Sequence, residues 1–253
     1  MNVATLPLKT LIDCAGWAAF AASAIGLVRR RNEDDLVFLP SVASYAVCDG
    51  MGGHPGGAEA SAAACAAAEA FLLGPEEDLP GAAAAAAKAV HAAAAENPAL
   101  ADMGTTMTLV RLDAAAGRAR VAHVGDSRLY RSSDSGLSQI TTDHTMGAEL
   151  VRGGRLTEAE ARQNHSWHRL TRVIGCGDPT ATAEVVSFAL SDSRVILLCT
   201  DGVSNMIPDR DMAHILNRAA PDPRAACTAL VDTALAAGGT DNATAIVLCP
   251  AQP

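Results

Sequence analysis

The sequence predicts an α+β domain whose helices pack on antiparallel sheets, and three observations carry that expectation. Short runs of Val, Ile, Leu and Tyr stop at Asp-Gly or Gly-Asp pairs, as buried strands do where they turn. Long alanine-rich stretches of high helix propensity stand between some of these runs. Their order is strands, two helices, several strands, two helices and a strand, which is not the alternation of a parallel βαβ sheet. At 253 residues, 49% of them hydrophobic, the chain can bury a large core as one domain or as two small ones, and disorder is excluded for most of it.

The start, MNVATLPLKTLIDCAGWAAFAASAIGLVRRR, holds an apolar stretch of about a dozen residues whose positive charges follow it instead of preceding it, unlike a signal peptide. No segment reaches the roughly 20 apolar residues that span a bilayer. The chain is therefore expected to be soluble, untargeted and cytoplasmic, with export by a dedicated machine left open. SYAVCDG is the first strand-like run. Two helices are expected next, Gly57 to Leu73 and Gly81 to Asn97, parted by the GPEEDLPG break. Their alanines permit close packing. TMTLVRL, RVAHVGDSRLY and RVILLCTDG follow as strand runs. Helices are then predicted over Asp209 to Ala219 and Pro223 to Ala237, the second with proline in its first turn and Gly-Gly at its end. ATAIVLC closes the series as a strand.

The segment from Thr141 to Gly177 differs from its surroundings: it is rich in Arg, His and Glu, poor in strand residues, and helical in spacing around MGAELVRGG and TEAEARQ. It is expected to form a mobile lid over the sheet edge, within a single domain spanning residues 1–253, since long polar excursions in compact domains tend to carry function. A surface helical hairpin without a chemical role is the alternative. The net charge of -9 opposes nonspecific attraction to nucleic acid or anionic membranes. Seven cysteines without CxxC spacing read as reduced thiols.

The carboxylates carry the chemistry. Asp49, Asp126 and Asp201 each follow an apolar run and adjoin Gly50, Gly125 and Gly202, Asp241 precedes the last run, and Glu33, Asp34 and Asp35 follow three arginines in RRRNEDD. Isolated buried carboxylates are costly, so several at strand ends call for a cation or hydrogen-bond donors. Oxygen ligands without a His or Cys cluster favour magnesium, manganese or calcium over zinc. Each piece alone has a plainer explanation. Asp-Gly is a common hairpin turn, RRRNEDD can be a solvated charge run, and His54 can be an ordinary loop histidine. GMGGHPGG lacks the pattern and lysine of a phosphate loop, and His91 in the alanine helix is assigned no chemistry.

The ordered set RxxNED, VCDGMGGHxGGxxAS, MGTTM, VGDSRLY, a DH-containing segment, LTRVIG, CTDGVSN and GGTDNATAIVL resembles bacterial members of the PPM (type 2C) metal-dependent protein serine/threonine phosphatases, over roughly residues 17 to 249. The resemblance implies two antiparallel β-sheets forming a sandwich flanked by pairs of antiparallel helices, with two divalent metal ions, Mn or Mg, at one end. It implies that Asp49 bridges the two ions, that the Gly50 carbonyl is another ligand, and that Asp201 and Asp241 complete the first ion's shell. Glu33 would serve the second ion through water, with Asp34 as a further outer-shell or water-mediated contact. Asp126 with Asp201 would hold the third, weaker metal of many bacterial members. Arg29, four residues before Glu33, takes the phosphate-binding position, and His54 is the candidate acid for the departing Ser or Thr oxygen.

That arrangement suits hydrolysis of a phosphomonoester, where paired divalent ions supply an activated water and offset the substrate's charge. Arg29 can grip two phosphate oxygens through its planar fork. Two departures from the family pattern stand out. Asp35 occupies a position that is small in many relatives, and Trp167 and His168 replace a proline- and arginine-containing approach to LTRVIG; they either tune the lid or pack on the sheet. The expected partners are phosphorylated proteins and a cognate Ser/Thr kinase, with no nucleic acid and no membrane, and the expected assembly is a monomer. Two rivals remain, a phosphohydrolase of small molecules and a non-catalytic phosphopeptide-binding scaffold.

Overall fold

The computed structural model describes residues 11–51, 56–75, 78–157, 160, 168–176, 178 and 180–251. In chain order the strands are β1 (Leu11–Ile12), β2 (Trp17–Ala24), β3 (Asp34–Leu39), β4 (Ser44–Asp49), β5 (Gly104–Thr105), β6 (Met107–Asp113), β7 (Arg118–Val124), β8 (Arg128–Ser133), β9 (Gly136–Gln139), β10 (Ile174–Gly175), β11 (Glu184–Ala189), β12 (Val195–Cys199) and β13 (Ala243–Pro250). The helices are α1 (Gly57–Leu72), α2 (Leu79–Glu96), α3 (Met146–Arg152), α4 (Asp201–Ser204), α5 (Asp209–Ala219) and α6 (Pro223–Ala236).

The strands form a six-stranded sheet, ordered β1-β2-β13-β12-β8-β9, a five-stranded sheet, ordered β11-β7-β6-β4-β3, and a short β10-β5 ribbon. Every pairing is antiparallel. Three buried clusters result. Trp17, Ala19, Tyr45, Val47, Ile196 and Ile246 meet between the two sheets. Ala64, Ala68, Ala86 and Val90 of α1 and α2 pack with Cys48 and Leu109 on the outer face of the five-stranded sheet. Leu216, Leu230 and Val231 of α5 and α6 pack with Leu197 and Val247 on the outer face of the other. This is the α-β-β-α sandwich expected from the family resemblance. Because strand side chains alternate, β12 and β13 are buried on both faces and read as continuous apolar runs.

The four predicted long helices are present, with ends shifted by no more than two residues. Asp78 caps α2, its Oδ2 accepting from Gly81 N at 3.0 Å, so that helix starts ahead of the predicted Gly81. Asp222 caps α6 in the same way, at 2.9 Å from Arg224 N.

Two sequence expectations need correction. RVAHVGDSRLY is not one strand: β7 ends in the five-stranded sheet and β8 begins in the six-stranded one, so the chain changes sheets at Gly125-Asp126-Ser127. Gly125 has φ +105°, and a Cβ there would lie 2.6 Å from the Thr106 Cβ, so the turn demands glycine. The segment around WAAFAASA, which carried no strand prediction, is the near-central strand β2. Its alanines favour helix by propensity, but pairing along all of β13 overrides that preference.

Leu197 is fully buried between β12 and the α5–α6 layer. Leu197→Ala is expected to lower unfolding free energy by about 2–5 kcal/mol, seen as a lower urea midpoint with an unchanged slope.

Candidate metal centre

The loop after β2, the start of β3, the ends of β4 and β12, the β7–β8 crossing and the approach to β13 all lie at one end of the sandwich. Antiparallel pairing brings them there: Asp34 is the register partner of Asp49 across β3 and β4, and Ala24 partners Ala243 across β2 and β13. Arg29, Asp49, Asp126, Asp201 and Asp241 consequently line one cleft of about 560 Å³. Met51, Thr106, His168, Arg169 and Cys176 contribute to the same wall.

Asp34 lies beneath this wall. Its Oδ2 accepts from Thr244 Oγ1 at 2.6 Å and Thr200 Oγ1 at 2.9 Å, while Oδ1 is buried with no hydrogen-bond partner. Burial pushes its carboxyl up to about 7, with the charges of Asp201 and Asp241 adding to the rise and the two threonines opposing it. Asp49 is raised well above its usual range by burial, then by Asp34, Asp201 and Asp126. Burial followed by Asp201 and Asp143 raises Asp126, and burial followed by Asp241 raises Asp201.

Backbone clamps hold the acidic residues in place. Asp49 N donates to Thr106 Oγ1 at 3.0 Å, and Asp49 O accepts from Thr106 N at 2.9 Å and Thr105 Oγ1 at 2.9 Å. Gly50 N donates to Glu33 O at 3.1 Å. A Cβ on Gly50 would overlap the Gly57 carbonyl, so glycine is what lets β4 pass against the first turn of α1. Asn242 braces the arginine loop, with its amide donating to Ile25 O at 2.8 Å and Arg31 O at 3.0 Å while Oδ1 accepts from Glu33 N at 2.9 Å.

The remaining predicted residues fall in different places. Arg29 Nη2 donates to Asp241 Oδ2 at 2.6 Å. Burial alone would lower its pKa, but Asp241, Glu33 and Asp49 outweigh that and hold the guanidinium above its ordinary value. Glu33 is not part of the cleft wall; its carboxylate accepts from Arg31 Nε at 2.9 Å. Asp35 is on the opposite face of β3 from Asp34, by strand alternation, so its extra charge points away from the acidic cluster. His54 and Trp167 lie outside the described residues, as does part of the expected lid; its described parts are α3, which fits the helical spacing of MGAELVRGG, and the return through residues 168–176. Thr200, Thr244, Thr106, Asn242 and Arg169 carried no sequence-based assignment. The two arginines in HRLTR were the available signal for Arg169; the threonines had none, because their role rests on contacts across the sandwich.

The donor set suits a hard divalent cation: several carboxylates at one cleft, and beneath them a carboxylate oxygen buried without a partner. Among the described residues no group of three or more His, Cys, Asp or Glu side chains is set to hold a metal ion; the carboxylates line the cleft, and Arg29 balances part of their charge.

The family model described as protein phosphatase 2C matches residues 30–237. The chain belongs to this family. The 2C-type chain is 34% identical over 236 residues to the serine/threonine protein phosphatase PstP of Mycobacterium tuberculosis, covering 90% of this chain and 44% of PstP. It thus spans less than half of that relative's length. Among solved structures, the catalytic domain of PstP in complex with two manganese ions matches at TM-score 0.78 and 33% identity, covering 92% of this chain and 97% of that one. The PPM Ser-Thr phosphatase MsPP from Mycobacterium smegmatis, in complex with cacodylate, matches at TM-score 0.79 and 33% identity, covering 91% and 97%.

The raised carboxyls make stability depend on pH in a definite direction. The folded state holds protons that the unfolded chain, titrating near 3.8, releases, so this stabilisation is complete at low pH and is lost as pH rises through about 7 for Asp34, with the raised Asp49 and Asp126 acting in the same direction. His123, held near 4 by burial and by His144, acts oppositely, but only over the range below its ordinary 6.5. Chelator-treated protein is therefore expected to melt at a lower temperature at about pH 8.5 than at about pH 7. Added Mn²⁺ should restore the loss and release protons. A melting temperature that climbs over this interval in chelator contradicts the electrostatic picture.

Proposed function

We propose that this chain is a metal-dependent protein serine/threonine phosphatase that hydrolyses phosphoserine and phosphothreonine in proteins and opposes a Ser/Thr kinase. The observation that supports it most directly is the gathering of Asp49, Asp126, Asp201, Asp241 and Arg29 in one cleft, over the buried, half-satisfied Asp34. Asp49, the Gly50 carbonyl, Asp201 and Asp241 would hold two Mn or Mg ions with Glu33 and Asp34 acting through water, and Asp126 would hold a third with Asp201. Bound there, the ions supply an activated water nucleophile and offset the phosphate's charge.

The chain's own groups do the rest. Arg29 stands at the cleft and forms a bidentate grip on the phosphate with its planar fork, exchanging its bond to Asp241 for bonds to substrate. His54, in the segment joining Met51 to Gly56, protonates the departing Ser or Thr oxygen. The lid segment contributes Arg169 and His168 to the cleft and so takes part in substrate contact. The cytoplasm is the proposed compartment and a monomer the proposed assembly. All seven cysteines are free thiols, as a reducing compartment allows, and no helix among the described residues is long and apolar enough to cross a membrane.

Dephosphorylation of a phosphothreonine peptide is expected with Mn²⁺, and loss of it with chelator or in Asp201→Asn. Turnover of nucleotides but not of peptides would move the assignment to a small-molecule phosphohydrolase, and Mn²⁺-independent activity would end the metal reading. Arg29→Lys keeps the charge but loses the fork, so its kcat/KM on the peptide is expected to fall by about tenfold or more; steady-state kinetics checks this.

A further inference from the structure

His144, in the TTDHT stretch, contributes no side chain to the cleft wall, yet it is only 1% exposed and each of its polar groups is bonded. Its main-chain N donates to Gly125 O at 2.8 Å, and Gly125 N donates back to the ring at Nδ1, 3.1 Å away. An amide N–H can only donate, so Nδ1 is the unprotonated nitrogen. The ring proton is then on Nε2 and donates to Glu184 Oε2 at 3.1 Å. Both main-chain groups of the glycine beside Asp126 thus end on one residue.

The other side of Asp126 is anchored through the neighbouring imidazole. His144 stacks on His123 with ring centroids 4.7 Å apart and planes at 27°. His123 Nδ1 is 2.9 Å from Thr108 Oγ1, which donates to Ser127 O at 2.6 Å. His144 also holds the returning lid segment: its carbonyl accepts from Thr171 N at 2.8 Å, and the next residue but one, Met146, donates from N to Arg169 O at 2.9 Å. One buried histidine therefore joins the Gly125–Ser127 turn to the segment that brings His168 and Arg169 to the cleft.

We propose that His144 is a positioning residue: its Nδ1 holds the Gly125 amide and so aims the Asp126 carboxylate, while its main chain fixes the 168–171 part of the cleft wall. This rests on Asp126 acting as a metal ligand. A test that reads a hydrogen bond and metal binding, instead of turnover, separates its failure from failure of the phosphatase assignment.

In the full ¹⁵N-labelled chain, a through-hydrogen-bond coupling between the Gly125 amide nitrogen and His144 Nδ1 is expected, and its absence overturns the proposal. His144→Phe keeps a stacked ring but removes the acceptor, whereas His144→Asn keeps an acceptor oxygen near the Nδ1 position. With Mn²⁺ binding followed by electron paramagnetic resonance of the free ion, H144F is expected to weaken the weakest site by about tenfold or more and leave the tighter sites in place. H144N is expected to stay within about threefold of the unaltered chain. Equal weakening in both variants, or none in H144F, overturns the proposal. Should H144F not fold, the coupling and the Mn²⁺ affinity of H144N decide it.

Discussion

Mutual repulsion among carboxylates is the constraint around which this molecule is built. Asp34, Asp49, Asp126 and Asp201 all lie where burial and one another's charges favour the protonated form. No local segment would bring these groups together spontaneously. Each is placed by a strand end or a sheet crossing, so the free energy of three apolar clusters is what holds them near one another. Such an arrangement is costly for folding and useful for chemistry, because groups that repel each other when ionised are well placed to share a cation.

A layer of small hydroxyl and amide side chains makes the arrangement tolerable. Thr200 and Thr244 serve Asp34, Thr106 serves the Asp49 backbone, Ser127 bonds Thr106 at 2.7 Å, and Asn242 closes the loop that carries Arg29. These residues are almost wholly buried. Buried hydroxyls with fixed partners do not relax as water does, so they hold the acidic groups at set positions while donating to some oxygens and leaving Asp34 Oδ1 without a donor. The acidic cluster and the polar interior are in this sense one structure.

The 141–176 segment and the cleft are linked at the β7–β8 crossing. A crossing between sheets exposes main-chain groups that no ladder satisfies, and here both those of Gly125 are satisfied by His144. Arg128, the first residue of β8, adds a buried pair with Asp143 at 2.7 Å, which in turn accepts from Gln139 at 2.8 Å. The segment after β9 is thus rooted in the same turn that carries Asp126, and the cleft-lining residues on its return, His168 and Arg169, are positioned from that root.

Much of this was legible in the sequence. Alanine-rich periodicity located α1 and α2, proline and aspartate marked the start of α6, and apolar runs ending in Asp-Gly located β4 and β12, because these signals are local. The order of the acidic motifs pointed to Asp49, Asp126, Asp201, Asp241 and Arg29, which the structure brings into one cleft. What the sequence could not determine depends on partners distant along the chain. WAAFAASA is a strand only because β13 lies beside it, and VGDSR is a crossing because its two ends belong to different sheets. Glu33 meets Arg31, two residues before it, and does not line the cleft. The order of the motifs, through the family resemblance it carries, named which acids to expect together; the register of antiparallel strands, which no local pattern encodes, decided which of them meet.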